Sequence, residues 1–460
     1  MLRAYDEDLN AETAEDAESE KLFILSLRTQ RSLRVEILMQ TIDLKYGSTS
    51  FAFDYDESRC EILRGAEHGP SLSDADIGAR LDAPIDSQPL EEIVQPGESV
   101  LIVVPDATRQ TAAGQIVNLV VRRLIANGTT PFDIRIIFAT GIHRKVTEDE
   151  KAAILTPFIL QRIKTLDHDS RDLMQIVSMG TTEGGIEIGL NRALIEHDHV
   201  VIVGGISFHY FAGFTGGRKL ICPGLASSQS VAATHKLAFD FEQKKRREGV
   251  DTGVLDGNAA HEAFVEVVQK RPPSFAISSI VNDRGEATEL FCGDWQTSHH
   301  SACEAYSLTN TVQIAERRDV VVLSCGGQPH DINLIQAHKT LDVAARACSD
   351  GGTIILLAKC ADGLGRNDFL SWFETENSGT LADRLAEKYQ VNGQTAWSLL
   401  QKAERFDVRI VTDLDGPSCE KMRMKKMSVE EANAIAKDTS EPSYIIPNGS
   451  KISIDLRSNI

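Results

Sequence analysis

SVLIVVPDATRQTAAGQIVNLVVRRLIANG, residues 99–128, contains one full turn of the pattern that decides the fold. Its first part, 99–104, is apolar without alternation. That marks a strand covered on both faces. A loop follows, and from about 114 to 126 apolar residues recur at helical spacing until Gly128 ends the helix. Working outward, 133–139 (DIRIIFA) is the next strand, and 146–162 reads as a helix with Thr147 as N-cap and Glu150 closing a capping box. A strand at 200–203, helices at 227–239 and 259–269, and strands at 275–282 and 287–291 complete the first half. The second half repeats the pattern, with strands at 319–324, 352–358, 405–411 and 444–454. Helices are expected at 332–347, 369–373, 381–389 and 395–402.

This alternation predicts an α/β protein of two domains, with mainly parallel sheets flanked by helices and the active site in the cleft between them. The expected division is 39–305 and 306–460. Residues 1–20 are acidic and lack apolar periodicity, so 1–38 is expected to be a disordered extension ahead of the strand that opens at Met39.

Composition narrows the function. A formal charge of −19 argues against non-specific nucleic-acid binding and against docking on anionic membranes. The longest apolar runs are strand-length, far short of the ~20 residues of a membrane span. The 8 cysteines include no C-x-x-C pair, which suits reduced thiols in a cytoplasmic protein.

In open α/β sheets, ligands sit beyond the carboxyl ends of the strands. This chain puts its chemical residues there repeatedly: Asp106, Thr108 and Arg109 after the first strand, His143 after the second, and His209 after the strand near 200. Gln336, His338 and Lys339 follow the strand at 319–324. Asp106 with Arg109 alone would suit a helix cap beside a surface arginine. The stretch 204–236, GGISFHYFAGFTGGRKLICPGLASSQSVAATHK, adds a glycine-rich loop with Gly213, Gly216 and Gly217, flanked by His209, Lys219 and His235. Such a loop lets backbone approach a ligand closely. It is no phosphate-binding P-loop, since Leu220 stands where a Ser or Thr would hold Mg²⁺.

Taken in order, PDATR (105–109), GIHR (141–144), FHYFAGFTGGRK (208–219), THK (234–236) and QAHK (336–339) resemble the nickel-pincer lactate racemase family, over a match running from about Met39 to the C-terminus. The resemblance implies a racemase or C2-epimerase of 2-hydroxyacids. It implies nickel held by a pyridinium-3-thioamide-5-thiocarboxylic acid mononucleotide, which is joined to Lys219 through a thioamide. His235 is then the protein ligand to nickel. His143 and His209 become the acid–base pair, and Arg109, Gln336 and Lys339 hold the substrate. Arg109 and Lys339 are counted with the catalytic set, and Asp106, Thr108, Gly216, Gly217 and Trp397 border the cofactor. Separate biosynthetic enzymes would be needed as partners.

One departure bears on substrate. Ile335 stands where a tyrosine is expected, giving an apolar wall that favours lactate or a short aliphatic relative over malate. Malate, aromatic 2-hydroxyacids and sugar acids remain the alternatives within the family. Outside it stand an NAD-dependent dehydrogenase, against which the chain lacks a strand leading into G-x-G-x-x-G, and a non-catalytic nickel or cofactor carrier.

Overall fold

The computed structural model describes residues 39–66, 69–438 and 441–457. The segment expected to be disordered, 1–38, lies outside the described residues. Two six-stranded sheets carry the architecture. The first runs Ala287–Gly293, Phe275–Val281, His199–Gly205, Val100–Pro105, Ile134–Ala139, Lys164–Asp167. All its pairs are parallel except the one between Phe275–Val281 and Ala287–Gly293. The second runs Lys425–Lys426, Asp407–Val411, Cys348–Leu357, Arg318–Ser324, Ser443–Ile446, Cys60–Ile62, and every pair is parallel.

Strand Val100–Pro105 is buried along its whole length. Val100, Ile102 and Val104 face helix Ala113–Ala126, whose Ile116, Val117, Val120, Val121 and Leu124 form the covering stripe. Leu101 and Val103 face the other way, onto Leu220, Ile221 and Leu225 of the glycine-rich stretch and Phe264 of helix Ala259–Val268. Alternate residues of one strand therefore tie two layers together, and trimming Ile102 or Leu101 alone to Ala is expected to cost about 2–5 kcal/mol. The second layer holds the glycine loop in place.

Several elements end where local chemistry stops them. Thr147 caps helix Glu148–Ile154 with the expected box to Glu150, but the helix expected over 146–162 is two. Pro157 disfavours helical backbone at the residue before it, so Thr156 turns extended and caps a second helix, Pro157–Arg162. The helix expected over 332–347 resolves into Leu334–Ala337, a tighter 3-10 turn His338–Thr340, and Leu341–Ala347. The strand expected over 444–454 divides around Pro447 and Gly449. Ser443–Ile446 joins the second sheet, whereas Ser453–Leu456 pairs with Thr311–Ile314.

The chain also crosses between the two bodies. Strand Cys60–Ile62 pairs with Ser443–Ile446, and hairpin Met39–Tyr46 with Thr49–Asp56 buries Leu44, Tyr46, Phe53 and Tyr55 against Val322, Ile355 and Leu357. These residues lie in the expected range 39–305 yet pack on the second sheet, because a parallel strand can come from anywhere along the chain. Residue 305 itself lies inside helix Thr297–Asn310. In that helix Tyr306 donates to the Lys451 carbonyl at 2.7 Å, which fastens the two halves.

Candidate active site

Between the sheets, at the carboxyl ends of their strands, lies a cavity of about 1110 Å³ walled by both halves. Directly after Val100–Pro105, Asp106 is buried at the floor. Its Oδ1 accepts from the Thr108 hydroxyl at 2.6 Å and the Thr108 N–H at 3.1 Å. Its Oδ2 lies 2.7 Å from His143 Nδ1. Burial pushes this carboxyl up, but His143, Thr108 and Arg109 together hold it at about 2. An ionised carboxylate only accepts, so His143 Nδ1 carries a proton and donates it to this bond. Beside it, burial draws the Arg109 guanidinium below its ordinary range while Asp106 opposes that shift. At the mouth, Arg144 pairs with Glu150 at 2.6 Å and reaches Asp362 of the second half at 3.4 Å.

The glycine-rich loop forms the adjoining wall. Arg218 is fully buried and donates to the carbonyls of Ala212 at 2.6 Å and Phe214 at 3.0 Å, which fixes the loop's curl. Gly216 has φ +72°, and a Cβ there would meet Ile206 Cδ1 at 2.8 Å. The 3-10 turn Gly217–Leu220 then presents Lys219, whose Nζ sits 5.5 Å from the ring centres of both Phe211 and Phe264. Phe211 is shared: His209 lies edge-on to it at 4.6 Å and His235 at 5.1 Å. His235 comes from the last turn of helix Ser228–Lys236, whose N-cap is Ser227.

Electrostatics follow from crowding cations in a buried space. Burial, then Arg109, Arg218 and Lys339, hold the Lys219 amine well below the ordinary lysine range. Burial and Arg109 do the same to Lys339. Burial, Lys219, Lys339 and Arg109 keep His209 neutral, and burial with Lys219 takes His235 down to about 3. His209 Nδ1 accepts from the Ala212 N–H at 3.3 Å, so its proton sits on Nε2. From the second half, Lys339 Nζ donates to Gln336 Oε1 at 2.7 Å. In an acidic chain this is a local field suited to anions.

Among the residues expected at the site, Asp106, Thr108, Arg109, His143, His209, Gly216, Lys219, His235, Gln336 and Lys339 all line this one cavity. Two are placed elsewhere. A Cβ on Gly217 would lie 2.4 Å from His299 Cδ2, so this glycine faces the packed interior and not the cleft. Trp397 is buried in the second core, edge-on to Phe239 at 4.6 Å. Helix Val391–Arg405 turns Val391, Asn392 and Thr395 to the cleft, and two further residues rotate the chain by about 200°.

Among the described residues, no cluster of three or more His, Cys, Asp and Glu side chains is placed to hold a metal ion. His235, buried in the last turn of its helix, offers a single imidazole donor. A metal here would need further donors from a bound group.

The lactate racemase N-terminal domain family matches residues 46–247, and the lactate racemase C-terminal domain family matches 313–454. A lactate racemase of Thermoanaerobacterium thermosaccharolyticum is 32% identical over 340 residues, 73% of this chain and 78% of that protein. This chain belongs to the lactate racemase family. It is accordingly an isomerase of the racemase type. A second lactate racemase, from Lactiplantibacillus plantarum, is 30% identical over 335 residues, 72% of this chain and 77% of its own length. The solved lactate racemase apoprotein of T. thermosaccharolyticum superposes with a TM-score of 0.80 at 27% identity, covering 90% of this chain and all of that one. A Thermotoga maritima protein shares the fold with a TM-score of 0.69 at 20% identity, covering 85% of this chain and 100% of its own. Among the described residues, no helix is long and apolar enough to cross a membrane.

Some lining residues carry no motif. Arg171 and Arg366 add cations at the rim, and Asn392 and Thr395 add polar wall. They come from loops and a helix face whose sequence shows no signal beyond ordinary surface polarity.

Proposed function

We propose that this racemase interconverts the enantiomers of a 2-hydroxyacid, lactate or a short aliphatic relative, using nickel in a pyridinium-3-thioamide-5-thiocarboxylic acid mononucleotide held by Lys219 and His235. The observation that carries this reading is the pair of imidazoles, His143 tied through Nδ1 to Asp106 and His209 held by the Ala212 N–H, beside Arg109 and Lys339 in one cleft. The residues fit the cofactor. A neutral lysine amine is a nucleophile able to form a thioamide, and Lys219 is held towards that form. A lone, neutral His235 suits a metal whose other donors are the sulfurs and ring carbon of the bound group. When bound, the group supplies a reversible acceptor for the hydride at C2.

The chain's own residues do the rest. Arg109 and Lys339 grip the carboxylate, with Gln336 orienting Lys339. His143 Nε2 takes the hydroxyl proton, and Asp106 stabilises the imidazolium that forms. The mirror-related pose places the hydroxyl at His209 instead, which takes that proton in the tautomer that carries hydrogen on Nδ1 and frees Nε2, giving up the 3.3 Å bond from the Ala212 N–H, so a racemase needs both. All eight cysteines are free and buried, which suits the reducing cytoplasm, where the cofactor-making enzymes would be its partners.

The test is chiral chromatography of a 2-hydroxyacid panel with protein co-expressed with those enzymes, checked by intact mass. Interconversion of both enantiomers is expected from protein bearing the added mass. Loaded protein that interconverts no 2-hydroxyacid would overturn the proposal.

A further inference from the structure

One imidazole of the cleft has no part in this chemistry. His338 is 1% exposed and borders the cavity from the 3-10 turn His338–Thr340. Its Nδ1 lies 2.7 Å from the Ile335 carbonyl oxygen. A carbonyl only accepts, so Nδ1 holds the proton and Nε2 carries a lone pair. That Nε2 is buried without a hydrogen-bond partner. The Tyr210 ring stands edge-on to the imidazole at 5.3 Å. Burial, Lys339 and Lys402 hold the group at about 3, so at neutral pH it stays an acceptor.

A buried acceptor left unpaired destabilises the free protein, and a ligand that brings a donor recovers that loss. We propose that His338 Nε2 accepts a hydrogen bond from a hydroxyl group of the ligand bound in the cleft. Carboxylate and phosphate are themselves acceptors and cannot fill this place. A hydroxyl can, and it has two sources here: the C2 hydroxyl of the substrate and the ribose hydroxyls of the mononucleotide. The inference rests on reading the cleft as a 2-hydroxyacid site that carries a mononucleotide.

Two substitutions separate the two nitrogens. H338N keeps an amide donor towards the Ile335 carbonyl and removes the outer acceptor. H338Q puts an amide oxygen near the position of Nε2. Isothermal titration of the holoenzyme with racemic lactate and with propionate reads the substrate arm. Titration of protein made without the cofactor-making enzymes, using nicotinic acid mononucleotide and its 2′-deoxy and 3′-deoxy counterparts, reads the nucleotide arm. The expected result is that H338N weakens one hydroxylated probe by at least about tenfold and its hydroxyl-free counterpart by less than about twofold, with H338Q recovering most of the loss. The arm that responds names the source. If H338N binds both members of both pairs as the wild type does, as it would were Nε2 bonded to a trapped water, the proposal is overturned. Equal weakening of both members, the mark of a packing role, also overturns it. Racemisation by the wild-type holoenzyme is scored separately by chiral chromatography. Failure there sinks the reading of the cleft, whatever these ratios show.

Discussion

His143 Nδ1 stands 2.7 Å from Asp106 Oδ2, and Asp106 cannot be the donor in that bond. The carboxylate therefore fixes the imidazole tautomer and aims Nε2 into the cleft. Asp106→Asn keeps the shape and removes the charge, so we expect racemisation to fall by about 100-fold or more. The same variant should change acid stability in a definite direction. The folded carboxyl sits at about 2, below its ordinary 3.8. A depressed acid stabilises the native state above its unfolded value, and that stabilisation is lost as pH falls through the folded value. Urea unfolding from about pH 5 to about pH 2 should show the wild type losing more stability than D106N. Parallel slopes would count against the pairing.

Lys219 stands between Phe211 and Phe264 in a field of cations. Lys219→Met should abolish the covalent adduct seen by intact mass after co-expression with the cofactor-making enzymes. Its apoprotein should be no less stable than wild type near neutral pH. The sign follows from the depressed amine: folding carries a proton cost that exists only below the ordinary lysine value of 10.5, so the variant's advantage should shrink as pH rises towards that value. A variant that retains the adduct would remove Lys219 as the tether.

Much of the lining of the candidate site was legible in the sequence, and what was not legible has physical causes. Strand ends at Pro105, Ala139 and Gly205 deliver Asp106, His143 and His209, because buried strands are apolar runs and the residues after them face the crevice. Helix Thr297–Asn310 was not legible: its buried face mixes Ser298, His299 and Asn310 with Ala302, Cys303 and Tyr306, so its apolar stripe is short and interrupted. Gly217 lay inside the right motif but faces inward, because a motif gives order along the chain and not the direction of a Cα–Cβ vector. Trp397 lies off the cleft for the related reason that helix phase decides which residues meet it. The return of Cys60–Ile62 to the second sheet is a long-range pairing that no local signal encodes.

His235 is the cleft imidazole at the end of its helix, packed against Phe211 and Phe264. His235→Ala should lower nickel retention after desalting more than His143→Ala or His209→Ala does, since losing a direct ligand costs more than losing a proton carrier. Plasma emission spectrometry of the three loaded variants gives the comparison. Equal nickel-to-protein ratios would take the ligand role away from His235.

Ile335 lines the cleft and packs partly against the second core, directly before Gln336. A substrate whose carboxylate is gripped by Arg109 and Lys339 lies beside this wall. An alkyl side chain placed there gains apolar contact, while a second carboxylate loses hydration and finds no donor on the isoleucine. We therefore expect kcat/KM for lactate and 2-hydroxybutyrate to exceed that for malate by about tenfold or more. Ile335→Arg should narrow or reverse the order, because it supplies the missing partner at the same wall. The assay is racemisation of all three acids by the same preparation of loaded protein. Malate coming first with Ile335 in place would show that the side chain of the substrate points elsewhere in the cleft.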